Sequence, residues 1–461
     1  MLTREKCHDI FARVLKHSHA DETEVLIGGG QSALTRFANN TIHQNMAEEN
    51  YVVSVRTVFG GRTARSTTNR FDEESLKRAV RASEALAKVQ EPDPDLLPVA
   101  DASEFASGPE VGRAFFETAS LSPQDRSVAV GKIVSVAKKY DLTTAGIFSS
   151  SESVEAVINS RGLFAYYTQT SSEISITMLS GSSSGWQKAN SPDVRNLDPV
   201  HLAEIAAQKA LDSRNPRELP PGKYTVILEP AAVLDLVGFM FWDWGGLAVL
   251  DQRSFLNNRI GMKLFGENIK IVDDVYHPLQ SGAPFDGEGV RRQRVPLVES
   301  GVVNNLVHAR ATANRIAKSP YAEKVGLIKP TGHGFPVPNE MGEAPMNVVI
   351  SGSDGTRTTP IADMIANTDR GILVTRLWYI REVEPYEKIL TGMTRDGTFL
   401  IEDGKVKSGV RNFRLNESMI HMLNKVEAVS EPVRASGEES FDMVVPAMKI
   451  RDFNFTEVTT F

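Results

Sequence analysis

The segment from 221 to 246 is the part of the sequence best suited to hold reactive side chains. It reads PGKYTVILEPAAVLDLVGFMFWDWGG, which predicts a buried strand followed directly by a buried helix. Its carboxylates are Glu229, Asp235 and Asp243, and it contains neither histidine nor cysteine. The segment therefore offers carboxylate chemistry but no nitrogen or sulfur ligand for zinc and no thiol nucleophile.

Zinc ligands elsewhere would have to come from nine scattered histidines and a single cysteine. No two histidines stand at helical spacing with a glutamate between them, so the HExxH pattern is absent. A catalytic zinc usually takes three protein ligands. His277, His308 and His333 are the histidines that could converge from loops, although isolated histidines are more often ordinary strand or loop residues.

Other patterns resemble functional motifs only in their letters. GSSSG at 181–185 has the spacing of a nucleophile elbow, but no helix is predicted after it, which favours a serine-rich turn. The three glycines at 28–30 precede an extended stretch and not a helix, so a phosphate-binding loop is not expected. Cys7 and His8 are adjacent on a predicted helix, where neighbouring side chains point in different directions.

The densest basic run is RRQR at 291–294. Such a run usually forms a solvated face, but Arg292 could instead neutralise the carboxylate of a peptide or an acidic partner. Trp242 and Trp244 flank Asp243 and are more typical of core or interface anchors than of a cofactor site.

Composition and length narrow the class of protein. The 461 residues suggest two or three domains, and 41% hydrophobic with 24% charged residues is a soluble globular balance. A net charge of −7 and a pI near 5.8 argue against general nucleic-acid binding. A lone cysteine excludes an intrachain disulfide, and no stretch predicts a signal peptide or a membrane span. We therefore expect a cytoplasmic location.

Residues 1–215 are predicted to form an N-terminal α/β domain with a mixed or antiparallel sheet and flanking helices. Strands are expected at Glu24–Ile27 and over 33–46, 50–68 and 143–190, with turns at Gly60-Gly61 and at 159–162. Helices are expected over Leu2–Lys16, Phe71–Lys88, Ser122–Tyr140 and from Asp198. A proline-rich connector lies near 91–101, and the Pro- and Asn-containing stretch at 214–222 predicts the domain boundary.

Residues 220–461 are predicted to form a C-terminal domain that is mainly antiparallel β, barrel- or sandwich-like, with a buried helix. This helix begins at Pro230 and runs through Trp244, and it is apolar on nearly all sides. A hairpin is expected around Ser300-Gly301, and Asp-Gly turns are expected at 354, 396 and 403. The predicted fold class is α+β.

Several segments, taken in order, resemble the TldD/PmbA family, also called modulator-of-gyrase proteins. They are the stretch from SALTRF to LKRAV at 32–80, NSRGLFA at 159–165, GKYTVILEPAAV at 222–233, PTGHGFPVP at 330–338 and VPAMKIRDFNF at 445–455. No single segment is decisive, but their order covers essentially the whole chain. The resemblance implies that the C-terminal domain is metalloprotease-like.

The family has two kinds of member, and the resemblance implies which kind this is. D-type members look like the catalytic subunit of a zinc metalloprotease, with HExxxH on the helix after the strand that matches VILEP and a cysteine ligand near the C-terminus. Counted from Glu229 and Pro230, the two histidine positions fall near Gly238 and Asp243, and Cys7 is the only cysteine. The chain is therefore similar to E-type, PmbA-like members, with no catalytic residue and no metal ligand assigned.

The resemblance implies a non-catalytic subunit that pairs with a zinc-holding D-type partner and acts on unfolded peptides. The residues expected to line a site are Glu229, His277, His308, His333 and Arg292. One alternative is an active peptidase with a rearranged metal site, built from the three histidines with Asp243 or Glu229. Another is a stand-alone homodimer that binds peptides or proteins. Whether the chain is itself an enzyme stays open, and neither nucleic acid nor a membrane is expected as a partner.

Overall fold

A computed structural model describes residues 1–105, 108–181 and 183–459. The N-terminal region, residues 1–215, contains strands β1 (Glu22–Ala38), β2 (Thr41–Phe59), β3 (Arg62–Thr68), β4 (Thr143–Asn159), β5 (Phe164–Ser180) and β6 (Ser183–Ser191). They form one antiparallel sheet in the order β3-β2-β1-β4-β5-β6. The helices are α1 (Arg4–His17), α2 (Glu73–Val89), α3 (Phe116–Ala119), α4 (Pro123–Lys139) and α5 (Pro199–Asp212).

Two pairs of helices cover opposite ends of the same face of this sheet. Successive side chains of a strand alternate between faces, and the odd-numbered residues Val25 and Ile27 of β1 pack with α1 and α2. Phe37, on the same face of the same strand, packs with α4 and α5. The long strands therefore run beneath both pairs of helices. The middle of this sheet face lies between the α1–α2 pair and the α4–α5 pair.

The C-terminal region, residues 220–459, continues the strands in chain order. They are β7 (Gly222–Leu228), β8 (Ile269–Asp273), β9 (Val295–Glu299), β10 (Val302–Val303), β11 (Val348–Gly352), β12 (Arg370–Glu384), β13 (Ile389–Glu402), β14 (Lys405–Gly409), β15 (Phe413–Ser418), β16 (Val426–Val429), β17 (Val433–Ala435), β18 (Met443–Val445) and β19 (Met448–Val458). The helices are α6 (Pro230–Val237), α7 (Gly246–Leu250), α8 (Arg310–Ile316), α9 (Ile361–Ala366) and α10 (Met419–Asn424).

A closed barrel and a second sheet organise this region. The barrel runs β12-β7-β19-β15-β13 and closes because β13 also pairs with β12. The pairings around this ring are antiparallel except for β7 with β12. The second sheet has the order β10-β9-β8-β11-β18-β17. The predicted α+β class and the barrel-like C-terminal region are confirmed.

Helix α6 is buried on all sides, as its apolar pattern predicts. Val233, Leu236 and Val237 have no exposed surface, and the core around them includes residues of both the barrel and the second sheet. The α-helix ends at Val237, however, and the chain continues as a 3₁₀ helix over Gly238–Asp243. The prediction of one helix through Trp244 was therefore wrong in its second half.

Some of the other predicted helices, strands and turns are confirmed, and some are wrong. The capped helices α2 and α4 and the turns at Gly60-Gly61 and Asp403-Gly404 are confirmed. The predicted break at the three glycines was wrong, because β1 runs through them: a side chain on Gly29 or Gly30 would overlap the backbone of β2 or β4. Asp396-Gly397 lies inside β13 and is not a hairpin turn. Of the serine-rich stretch, β6 begins at Ser183, and Ser182 lies outside the described residues.

The other face of the N-terminal sheet packs against the C-terminal region. Leu26 and Val157 contact the apolar cluster that contains Phe285 and Val290. Arg113 is buried and donates to the carbonyl oxygens of Val275, His277 and Gly282. Among the described residues, no helix is long and apolar enough to cross a membrane.

Close packing of α5 on β6 gives a stability prediction. A side chain on Gly185 would overlap the α5 backbone at Ala206 and Ala210, so we expect Gly185→Ala to lower the free energy of unfolding by roughly 1–3 kcal/mol. Gly131→Ala is the matched control, because this exposed glycine of α4 has open space around it and alanine favours helix by about 0.5–1 kcal/mol. Urea unfolding of both variants measures the difference, and equal stabilities would contradict this packing.

Candidate functional site

The candidate site is built around the unit formed by β7, α6 and the 3₁₀ helix. Glu229 stands at the junction between β7 and α6, and its Oε2 lies 2.7 Å from Nζ of Lys209 on α5. Its backbone N–H donates to the carbonyl oxygen of Val374. Glu229 therefore ties the start of the buried helix to the N-terminal region and is not free to bind a ligand.

Gly238 lies where α6 changes to the 3₁₀ helix. A side chain at this position would overlap the side chain of Ser440. The loop that carries Ser440 is fixed to α6, because Asp235 Oδ1 accepts hydrogen bonds from the backbone N–H groups of Glu438 and Glu439 at 3.1 and 3.2 Å. Burial raises the pKa of Asp235 to about 6, and these backbone donors oppose the shift. The space beside Gly238 is thus filled by the chain itself.

Asp243 ends the 3₁₀ helix and forms an ion pair with Lys388. Lys388 lies in the turn between β12 and β13, is only 4% exposed, and also pairs with Glu382. Burial raises the pKa of Asp243, and the Lys388 ammonium opposes that shift. The carboxylate of Asp243 is therefore already paired with the fixed positive charge of Lys388.

His308 and His333 are brought together by Thr331. The Thr331 hydroxyl accepts from the His308 backbone N–H at 2.7 Å and lies 3.0 Å from Nδ1 of His333. Nε2 of His333 lies 2.9 Å from Oδ1 of Asp273, and both side chains are fully buried. Burial lowers the pKa of His308 to about 4. A backbone hydrogen bond with Leu327 opposes that shift, and with this pKa the imidazole of His308 is neutral near pH 7.

His277 is not part of this cluster. Its Nδ1 accepts from the backbone N–H of Leu279 within its own loop. The carbonyl oxygen of His277 accepts from Arg113. The structure thus joins two of the three histidines considered from the sequence, and the third faces the N-terminal region.

Arg292 lines a cleft of about 260 Å³ between the N-terminal sheet and the C-terminal loops. Glu155 of β4 stands on one side of the cleft, and Asp286 and His333 stand on the other. Burial raises the pKa of Glu155 and of Asp286, and the charge of Arg292 opposes both shifts. Asp286 is held by the backbone N–H groups of Glu288, Val290 and Gly334, so the cleft combines the charge of Arg292 with a carboxylate fixed by its own loop.

Sequence reasoning missed three buried charged residues at this site. Lys388 gives no local signal, because its role depends on a partner far away in the sequence. Asp286 stands with Glu288 among glycines in the sequence DGEG at 286–289, and this pair of acidic residues beside tight-turn glycines could have marked it as a structural carboxylate. Glu343 is also buried: its carboxylate accepts from the Leu247 backbone N–H at 2.8 Å and from the Thr312 hydroxyl at 2.9 Å.

The side chains at the two positions implied by the resemblance do not fit a catalytic zinc. Gly238 has no donor atom, and Asp243 is already paired with Lys388. Across residues 1–105, 108–181 and 183–459, no three His, Cys, Asp or Glu side chains are grouped in a way that could hold a metal ion.

The sequence matches family profiles along most of its length. Residues 221–457 match the PmbA/TldA metallopeptidase C-terminal domain, residues 23–87 match domain 1, and residues 117–214 match the central domain. These profiles together define a metallopeptidase-like class of protein. The chain belongs to the PmbA/TldD family.

Individual relatives are distant but extend over most of the chain. It is 23% identical over 394 residues to the metalloprotease PmbA of Escherichia coli O157:H7, covering 82% of this chain and 80% of that protein. It is 21% identical over 413 residues to a PmbA homologue of Haemophilus influenzae, covering 86% and 85%. The fold is similar to the crystal structure of TldE from Thermococcus kodakarensis, with a TM-score of 0.84, 22% identity and 98% and 99% coverage.

The Lys388 ion pair gives a prediction about stability. Lys388→Met leaves the carboxylate of Asp243 largely buried without a counter-charge, so we expect a loss of roughly 3–5 kcal/mol in the free energy of unfolding. The double variant Asp243→Asn with Lys388→Met should recover most of that loss. The loss should also shrink at low pH, because protonated Asp243 needs no counter-charge. Urea unfolding of the three proteins at acidic and alkaline pH tests this, and a double variant no more stable than Lys388→Met would contradict it.

Glu343 gives a prediction about pH. Burial raises the pKa of this carboxyl to about 7 in the folded protein, from its ordinary value of 4.5. The stability it contributes is therefore present below about 4.5 and is lost as the pH rises through about 7. In Glu343→Gln the amide oxygen can still accept from the Leu247 backbone N–H and the amide NH2 can donate to the Thr312 hydroxyl, and the side chain does not titrate. Its stability relative to the wild type should rise by about 2–3 kcal/mol from pH 5 to pH 8, and a constant difference in unfolding free energy would refute the assignment.

Proposed function

We propose that this chain is a non-catalytic, E-type subunit of a PmbA/TldD-like zinc metalloprotease, and that it acts with a D-type partner on unfolded peptides. The observation that carries the proposal is the surroundings of Gly238 and Asp243, the two positions that the resemblance assigns to histidine ligands. Gly238 is packed against Ser440, and Asp243 is paired with the ammonium of Lys388. A buried ammonium repels a second cation, so Asp243 is a poor ligand for zinc.

An exposed aromatic patch beside this unit supports the association with a partner. Trp242 is 46% exposed and stacks on Phe335 with ring centroids 6.2 Å apart, and it meets Phe441 edge-on at 6.5 Å. Tryptophan is enriched among the residues that dominate protein interfaces. Trp242 directly precedes Asp243, so a partner that covers this patch would lie next to the altered ligand positions.

The interdomain cleft supports binding of an extended chain. Arg292 offers a cation that can pair with a peptide carboxylate, and Glu155 and Asp286 lie in the same cleft. Unfolded peptides can also be held by pairing with the edge of a sheet, which recognises the backbone more than the side chains. Together these features suit a subunit that holds substrate while the partner supplies the chemistry.

The test compares the purified chain alone with the chain mixed with a D-type relative that carries HExxxH. Alone, we expect no stoichiometric zinc by elemental analysis and no cleavage of an unfolded peptide. The mixture should form a complex and cleave the peptide. Stoichiometric zinc together with activity of the chain alone would refute the proposal and favour a rearranged site.

The aromatic patch is tested in the same mixture. Trp242→Ala should weaken association with the D-type relative by at least tenfold, because it removes a large exposed side chain from the proposed interface. Phe116→Ala is the matched control, since Phe116 is an exposed aromatic residue of α3 in the N-terminal region. Equal affinities of the two variants, measured by calorimetry, would exclude this patch as the interface.

A further inference from the structure

A second cavity lies in the N-terminal region, away from the site described above. It occupies about 410 Å³ in the gap between the two helix pairs on the covered face of the sheet. β1, β2 and β4 form its floor, and the chain from α3 to α4 forms one wall. Small residues leave this space open, among them Ala33, Ala47 and Ser150.

Arg126 stands in the wall of this cavity and is only 1% exposed. Its guanidinium donates to neutral acceptors, namely the Thr35 hydroxyl at 3.2 Å, the Leu121 carbonyl at 2.9 Å and the Ser150 hydroxyl at 3.4 Å. In the described part of the chain Arg126 forms no ion pair, and the carboxylate whose charge acts on it is that of Asp125, its neighbour in the sequence. A buried charge is normally paired, so this guanidinium lacks the anion that such a position calls for.

Two carboxylates, Glu49 and Glu152, flank Gln31 on the covered face of the sheet and form no ion pair within the described residues. Glu49 accepts a hydrogen bond from the Gln31 amide at 3.3 Å. Glu152 forms neither an ion pair nor a side-chain hydrogen bond within residues that the structure describes. Burial and the neighbouring Glu49 raise the pKa of the adjacent Tyr51 to about 12. The cavity therefore has a positive end at Arg126 and a negative end at Glu49 and Glu152.

We infer that this cavity binds a small zwitterion of the α-amino-acid class. The carboxylate of the ligand pairs with Arg126, whose planar guanidinium suits two-point binding of a carboxylate. The ammonium of the ligand pairs with Glu49 and Glu152. The carboxylates of the cavity repel a simple anion, and Arg126 repels a simple cation, so only a ligand with both charges satisfies both ends. This binding is independent of the function proposed above.

The experiment uses the full-length protein and titrates it with each of the common L-amino acids by calorimetry, with acetate and methylammonium as ligands that carry only one of the two charges. We expect at least one amino acid to bind saturably and neither single-charge ligand to bind. If no amino acid binds, the inference is wrong. Acetate that binds as tightly as the amino acid would identify a plain anion site and would also overturn it.

Variants locate the binding without disturbing the buried arginine. Glu152→Gln removes one negative partner, and Ala33→Leu fills the cavity while it leaves every charge in place, so each should weaken binding at least tenfold. Glu110→Gln, an exposed carboxylate that does not line the cavity, should bind as the wild type does. Circular dichroism confirms that each variant is folded. Wild-type affinity in both cavity variants would place the ligand elsewhere and refute the assignment.

Discussion

Burial of α6 on every side is the constraint on which the C-terminal region depends. The helix packs against the barrel strand β12 and against β17 and β18 of the second sheet. A helix in this position has no solvent-facing side, so each polar group on it must find a partner inside the protein. Asp235 takes the backbone N–H groups of the loop before β18, and Asp243, just beyond the helix, takes Lys388. Both carboxylates are paired inside the protein because the helix is buried.

The burial of α6 also explains why Gly238 and Asp243 each have a specific neighbouring side chain. A glycine at 238 leaves room that another group must fill, and Ser440 fills it. A carboxylate at 243 brings a negative charge into a mostly apolar setting, and Lys388 compensates for it. A metal ion and a tethered ammonium would meet the same electrostatic need, but the ammonium is part of the chain and leaves no open coordination position. At this unit the chain itself thus supplies the group that fills the space beside Gly238 and a counter-charge for Asp243.

Prediction from sequence succeeded where the determining interactions are local. The side chain of Asp72 caps α2 from the adjacent position, and Ser122 with Asp125 forms a capping box within one turn of α4. It failed where the partner is distant. Gly29 and Gly30 remain in a strand because β2 and β4 approach them closely, and no local pattern reveals that approach. The ion pair of Asp243 with Lys388 and the closure of the barrel through β12 and β13 likewise depend on tertiary contacts between segments far apart in sequence.

The two regions meet through buried charged groups as well as apolar side chains, and this affects the cleft between them. Arg65 of β3 pairs with the buried Glu24 and donates to the carbonyl oxygen of Val337, and Arg113 donates to three carbonyl oxygens of the C-terminal region. Buried charges are costly to leave unpaired, so a small shift of one region against the other would carry a large penalty. The interface therefore holds a defined geometry, and Glu155 of one region and Arg292 of the other line the same cleft at fixed positions.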